Sequence, residues 1–255
     1  MTKPVFHPRL QQIERYISEH RQVSTSTLCT TFDISEATAR RDLDQLAALG
    51  SVMRVHGGAV AVSAAPPEPP VLQRSQWQQA EKQRIAQAAA NLIDAGDTVF
   101  ISSGTTALAV AQLIRNRSDI TVVTNSLPVL NCLADSNLDV IALGGMFRQS
   151  ESSFIGHLAV QSLAELRMTK IIFGIRGIDV VQGLTNDYLP ETMTDRAILS
   201  AGKHVIIVAD HTKLGRSAPA FVAPLSAVDT LVTDSNADST LCHAIAAIGV
   251  RVIQA

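Results

Sequence analysis

The sequence predicts an α/β protein: an N-terminal winged helix-turn-helix joined to a larger C-terminal, doubly wound, mostly parallel α/β domain. Three features carry that reading. Pro66, Pro67, Pro69 and Pro70 split the chain, because such a cluster excludes a helix and favours an extended spacer. Before it, short helical patterns end in a glycine-centred hairpin. After it, short β-branched apolar runs alternate with helical ones, the order of a parallel sheet with crossover helices. The implied divisions are residues 1–62, a Pro-rich linker over 63–78, and an α/β domain over 79–255.

In the first part, Leu10, Ile13 and Ile17 fall at helical spacing beside Tyr16, and Pro8 suits a first turn. Ser24 or Ser26 can cap a short second helix running through Leu28 and Cys29 to about Thr31. "FDIS" makes a tight break, Ser35 caps "EATARRDLDQLAAL", and Gly50 stops it. Leu43, Leu46 and Leu49 line one face of that third helix. "SVMRVHGGAVAV" then reads as two strands folded at Gly57-Gly58. Such a module suits DNA because a helix fits the major groove and its first turns reach base edges. Ser35, Thr38, Arg40 and Arg41 supply hydroxyl and guanidinium donors there, while Arg54 and His56 in the hairpin can meet a phosphate or the minor groove. The alternative is a solvated basic face on a dimerisation module. Charge does not decide, since residues 1–60 carry 7 Lys and Arg against 6 Asp and Glu, and the remainder 14 against 17. DNA contact must therefore rest on a few placed arginines.

In the second part, "TVFIS", "ITVVT", "LDVIAL", "KIIFGI", "HVIIVA", "TLVTD" and "VRVI" read as buried parallel strands. Ligands of such sheets bind at the carboxyl ends of the strands. Past the first strand comes Ser102-Ser103-Gly104-Thr105-Thr106, where loop amides, hydroxyls and a helix start form an anion cradle. Past the second come Asn125 and Ser126; past the third, Gly144, Gly145 and Arg148. Past the fourth comes "RGIDVVQGLTND" with Arg176, and past the fifth, Asp210, Lys213 and Arg216. Glycines, hydroxyls, an amide and cations on one edge suit a phosphorylated polyol.

The composition excludes several other classes. With 46% apolar and 17% charged residues the chain is expected to be folded. No apolar run approaches the roughly 18 residues of a membrane span, and the N-terminus lacks a secretory pattern. Cys29, Cys132 and Cys242 are far apart and read as reduced thiols of a cytoplasmic protein. Nucleotide P-loop, G-x-G-x-x-G and G-x-S-x-G patterns are missing. The seven histidines show no metal-ligand spacing, so neither a metal nor a cofactor is expected. Glu191 and Asp187, with Lys213, are the residues an acid–base enzyme would use.

"SEATARRDL" and "LGSVMRVHGGAV" resemble the DNA-binding module of the DeoR family of bacterial sugar-metabolism regulators. The resemblance continues in order through "EKQRIAQAA", "SSGTTALAVA", "VTNSLPV", "LGGMFR", "GIRGID", "GLTND" and "ADHTKLGR", nearly the whole chain. It implies a repressor of a carbohydrate or sugar-acid operon whose C-terminal domain is similar to ribose-5-phosphate isomerase and senses a phosphorylated sugar. It places the phosphate loop on Ser103 to Thr106 and further effector contacts on Asn125, Ser126, Gly144, Gly145, Arg148 and Lys213. It places the recognition-helix contacts on Thr38, Arg40 and Arg41. The chain departs from the family where an aspartate is usual at Ser102, where "GADG"-like residues become Gly174-Ile175-Arg176-Gly177, and where a lysine is expected at Asp195. Ala39 stands where a larger β-branched residue is common. The loss of an acid and gain of Arg176 suit a more anionic effector. The expectation is a cytoplasmic homo-oligomer that binds an operator in double-stranded DNA and a phosphorylated sugar or sugar-acid effector, with no membrane contact. The alternatives are an isomerase-type enzyme with an attached DNA module, or a regulator with a vestigial pocket.

Overall fold

The computed structural model describes residues 8–20, 22–48, 52–55, 57–61, 63, 64 and 69–255. Contacts divide the chain into two compact units, Met1–Ala64 and Ala65–Ala255.

The first unit is built on helices α1 (Pro8–His20), α2 (Thr25–Phe32) and α3 (Glu36–Ala48). Strands β1 (Gln22–Ser24), β2 (Val52–Val55) and β3 (Gly58–Ala61) form an antiparallel sheet in the order β1-β3-β2, and Ser63–Ala64 (β4) follows. Ile13, Ile17, Leu28, Ala39, Leu43 and Leu46 are fully buried in one cluster. Of the two candidate caps of α2, Ser24 takes the role: its Oγ accepts from Thr27 N at 3.0 Å. Asp33, at φ 49°, closes α2 in a left-handed conformation and donates its amide to Cys29 O. Arg9 donates to Asp42 through Nε (2.8 Å) and Nη2 (3.1 Å), fixing α1 against α3. Leu49, Gly50 and His56 lie outside the described residues.

The second unit holds seven parallel strands: β5 (Thr98–Ile101), β6 (Thr121–Thr124), β7 (Asp139–Ala142), β10 (Met168–Gly174), β13 (Gly202–Val208), β16 (Thr230–Thr233) and β17 (Arg251–Gln254). Each matches one of the seven apolar runs. Their spatial order is β17-β16-β13-β10-β5-β6-β7, so direction along the sheet reverses between β5 and β10. Helices α5 (Gln79–Ala90), α6 (Thr105–Ile114) and α7 (Leu127–Leu133) cover one face, meeting Val99, Ile101, Val122 and Ile172. Helices α8 (His157–Ala164), α9 (Thr192–Ala201) and α10 (Ser239–Ala246) cover the other, meeting Phe100, Val123, Ile171 and Phe173. Alternate residues of one strand thus enter opposite cores, which is why the strands read as unbroken apolar runs.

Three features differ from the sequence reading. The stretch expected to be an extended spacer turns helical at Val71–Arg74 (α4), directly after Pro70, and Val71 is buried with its amide donating to Ser150 O at 2.8 Å. A single turn can start there because proline restricts only the residues around it. The segments after the third and fourth sheet strands are themselves strands: β8 (Met146–Arg148) pairs antiparallel with β9 (Ser153–Ile155). Likewise β11 (Gly177–Asp179), β12 (Gly183–Asn186) and β15 (Ala220–Ala223) form a small antiparallel sheet. Between them β14 (Arg216–Ser217) is a two-residue strand. Among the described residues no helix is long and apolar enough to cross a membrane.

Candidate functional site

In the first unit, Ser35 caps α3: its Oγ accepts from Thr38 N at 3.2 Å and lies 2.8 Å from Thr38 Oγ1. Both hydroxyls therefore set the helix start, with Ser35 exposed and Thr38 half-buried. Arg40 and Arg41 are exposed, and Arg40 pairs with Glu36 one turn earlier at 2.5 Å. Such an exposed pair is worth only a few tenths of a kcal/mol, so phosphate or guanine can compete for the guanidinium. Arg54 is drawn back onto its own unit, pairing with Asp44 (3.0 Å) and donating to Gly58 O (3.0 Å). Residues of α2 (Thr25, Ser26, Cys29, Thr30), the start of α3 (Glu36, Arg40) and the hairpin (Arg54, Val55, Gly57) border one open groove.

In the second unit, a cavity of about 510 Å³ opens where the strand order reverses, and Ser102 to Thr106 form part of its wall. The start of α6 lies in that wall, and the first amides of a helix have no carbonyl of their own helix to bond. Ser102 is buried and holds the two sides of the crevice together. Its Oγ donates to Ser103 O (2.9 Å) and accepts from Gly174 N (2.9 Å). Asn125 donates from Nδ2 to Phe154 O at 3.0 Å, while its buried Oδ1 has no hydrogen-bond partner among the described residues.

Charge is sorted within this cavity. Arg74, Lys82, Arg176, Lys213 and Arg216 bring positive charge together with Asp210. Burial pulls Lys82 and Lys213 each down to about 8; Asp210 opposes the shift, and neighbouring cations, Arg74 among them, add to it. Lys82 donates to Arg74 O at 2.8 Å, and Arg74 pairs with Glu151 at 2.5 Å. Towards α9 the lining is acidic. Burial is the main cause that pushes Glu191 up to about 7, against the pull of Arg148, and Glu151 and Asp187 add to it. Asp195 is raised well above the usual carboxylate range by burial, with Glu191 beside it, although Asn186 donates to it at 2.6 Å. Arg148 bonds Glu191, lies 3.5 Å from Asp187 and stacks on the Tyr188 ring at 4.5 Å. The two carboxylates that an isomerase-type enzyme would use are thus both paired with one guanidinium.

Of the effector-site residues expected from the sequence, Ser102, Ser103, Gly104, Thr105, Thr106, Asn125, Arg148, Arg176 and Lys213 line the cavity; Ser126, Gly144 and Gly145 are not in its lining. Ser126 instead caps α7, accepting from Val129 N at 3.4 Å. Gly145 has φ 148°, and a Cβ there would sit 2.6 Å from Ile155 O. A methyl group cannot be admitted without moving the backbone of β9. Gly145→Ala is expected to destabilise the second unit by about 1–3 kcal/mol, read as a lower midpoint in denaturant. Arg74, Lys82 and Glu151 line the cavity without having been legible as site residues. Lys82 stands in "EKQRIAQAA", where the one signal was a charged residue on a helix at a position that is buried. Among the described residues no group of three or more His, Cys, Asp or Glu could hold a metal ion.

A winged helix with exposed arginines on its third helix, in one chain with an α/β unit that encloses a polar cavity, defines a DNA-binding transcriptional regulator with a small-molecule sensor domain. The DeoR-like helix-turn-helix domain matches residues 9–65 and the DeoR C terminal sensor domain matches residues 77–235, and the chain belongs to the DeoR family. It is 37% identical over 220 residues to the glycerol-3-phosphate regulon repressor of Escherichia coli, covering 86% of this chain and 87% of that one. It is 35% identical over 229 residues to the transcriptional repressor AccR of Agrobacterium fabrum, covering 89% of each. The HTH-type transcriptional regulator IolR of Bacillus subtilis is 32% identical over 231 residues, with 90% and 92% covered. Ribose 5-phosphate isomerase A of Methanocaldococcus jannaschii overlays on 53% of this chain and 54% of its own at a TM-score of 0.41 and 13% identity, too partial a likeness to bear on function.

Proposed function

We propose that this regulator represses a carbohydrate or sugar-acid catabolic operon and releases its operator when a phosphorylated sugar-like effector occupies the cavity. The observation that carries this reading is the pairing of two desolvated lysines, Lys82 and Lys213, with the Ser103–Thr106 loop at the point where the sheet reverses. Burial penalises both charges and Asp210 opposes that penalty; a phosphate adds further negative charge beside them. The printed name of the Escherichia coli relative, a regulon repressor for glycerol 3-phosphate, is in keeping with a phosphorylated polyol. Pro69, Arg74, Trp77, Gln78 and Lys82 bring to the cavity wall the stretch of chain that follows the DNA-binding unit. Ligand contact with Arg74 and Lys82 therefore bears on the segment from which that unit extends. Release requires that the effector bind one arrangement better than the other. The regulator works as a cytoplasmic homo-oligomer, since paired half-sites multiply the small interface of one module.

Thermal-shift measurements on the purified chain against sugar phosphates test the sensor, because a ligand of the native state raises the melting temperature. Anisotropy of a labelled operator, with and without the best ligand, tests release. A chain that no phosphate stabilises, or that turns a sugar phosphate over and loses turnover with Glu191→Gln, is not this regulator.

The lysines also set a pH dependence. In the ligand-free cavity both are at about 8, and a bound phosphate raises them, so binding takes up protons above that pH. Effector affinity is expected to hold between about pH 7, above the second ionisation of a phosphate monoester at about 6, and pH 8, and to fall as pH rises beyond it, read by isothermal titration in buffers of different ionisation enthalpy.

A further inference from the structure

Trp77 is the single tryptophan of the chain, and it lines the cavity while 54% exposed. An exposed apolar side chain on an open surface calls for no explanation, but this one stands in the wall of a cavity. Phe173, Ile175, Ile198, Val208 and Ala209 also line it, and each of them is buried. Among the described lining residues, Trp77 alone combines a large apolar side chain with exposure.

The backbone around Trp77 fixes its place. Val71 donates its amide to Ser150 O at 2.8 Å and Arg74 pairs with Glu151 at 2.5 Å, so α4 is fastened to the turn between β8 and β9. Trp77 N donates to Arg74 O at 3.1 Å, and Lys82 Nζ donates to the same oxygen at 2.8 Å. One carbonyl thus holds the tryptophan next to the ammonium group that the sensor reading assigns to the phosphate. Gln78, at φ 49°, turns the chain from Trp77 into α5, a conformation that a residue other than glycine keeps only where its surroundings fix it.

A sugar closed to a ring carries its hydroxyls at the edge and a run of C–H groups on its face. Those C–H groups are apolar and slightly positive, whereas the face of an indole is apolar and negative, so the two stack. An open polyol chain turns about each of its C–C bonds and presents such a face only by giving up that freedom. We propose that Trp77 is a stacking platform for a sugar ring, so that the effector is a cyclic sugar phosphate with its phosphate beside Lys82 and its ring against the indole. This rests on the reading of the cavity as a sugar-phosphate sensor and narrows it from phosphorylated polyols in general to those that close.

The test uses matched pairs: pentose and hexose phosphates esterified at the terminal carbon, which close to rings, and the alditol phosphates made by reducing them, which cannot. Each is titrated into the full chain. Isothermal titration reads the affinity, and tryptophan emission, which comes from Trp77 alone, reads the surroundings of the indole. For at least one pair the ring-former is expected to bind about tenfold or more tightly than its alditol and to shift the emission to shorter wavelength. Trp77→Ala should bring that pair to near-equal affinity, while Trp77→Phe, which keeps an aromatic face, should retain part of the preference. Melting temperatures of both variants establish that they fold. Equal or reversed affinity within every pair, with phosphates still bound, overturns the ring assignment and leaves the sensor standing. So does a preference that Trp77→Ala leaves intact, or ring binding that leaves the emission unmoved, because the indole is then not the contact. If no phosphate binds at all, the sensor reading fails and this inference fails with it.

Discussion

Replacing Arg40 and Arg41 together by alanine is expected to weaken operator binding by about 2–6 kcal/mol, counting about 1–3 kcal/mol for each bidentate contact to guanine. The fold should hardly notice. Both side chains are exposed, and Arg40 loses one exposed pair with Glu36, so unfolding should shift by about 0.5 kcal/mol or less. The operator can be taken from a random-sequence pool selected by the purified protein, with affinity read by anisotropy at two salt concentrations. Affinity for random DNA separates the roles: a loss confined to the selected sequence places these arginines on bases, whereas an equal loss on both places them on phosphates. Unchanged affinity in the double variant would remove α3 from the interface.

The second large effect belongs to the cavity. Lys82→Met combined with Lys213→Met is expected to lower effector affinity by about 3–6 kcal/mol, counting about 1.5–3 kcal/mol for each charge-assisted contact. The ligand-free protein should not melt earlier. Both ammonium groups have a folded pKa of about 8, below the ordinary lysine value. At neutral pH the unfolded chain therefore holds those protons more tightly, and each buried charge opposes folding. Consistent with that sign, the stability of the unsubstituted protein rises with pH from about 8 towards the ordinary lysine range, and the double substitution removes that rise. Differential scanning fluorimetry over this range, with and without a sugar phosphate, reads both effects. Operator binding without effector should be unaltered. A double variant that still binds the effector at full strength would place the phosphate elsewhere.

Some parts of this molecule were legible because their physics is local. The third helix announces itself through Ser35, whose hydroxyl accepts from the amide three residues on, and through Leu43 and Leu46 at helical spacing. The inner sheet strands were legible because they are covered on both faces, so that Val99, Phe100 and Ile101 all had to be apolar whichever way they point; the edge strands β7 and β17 are half-buried or exposed. The Ser102–Thr106 loop was legible because hydroxyls and a glycine between a strand and a helix suit few other purposes. Strand β1, with three residues, carries no pattern of its own and exists by pairing with β3. Strands β8, β9 and β11 have three residues each and β12 four, too few to carry a pattern of their own. Ser126 and Gly145 looked like Asn125 in the sequence, since a cap, a close-packed turn and a cavity wall can all use small polar residues or glycine.

The sequence by itself therefore determined the two-part organisation and the order of the helices and sheet strands. Only the tertiary structure decided which charges share the cavity. Arg74 meets Glu151 from 77 positions away in the chain, and Arg148 reaches Glu191 across 43. Whether Lys82 is a surface lysine or a desolvated cation depends on what buries it. Secondary structure follows from neighbours within a few residues, and so leaves a trace in the order of residue types. Electrostatics depends on distance and solvent exposure, which exist only once remote segments have packed together.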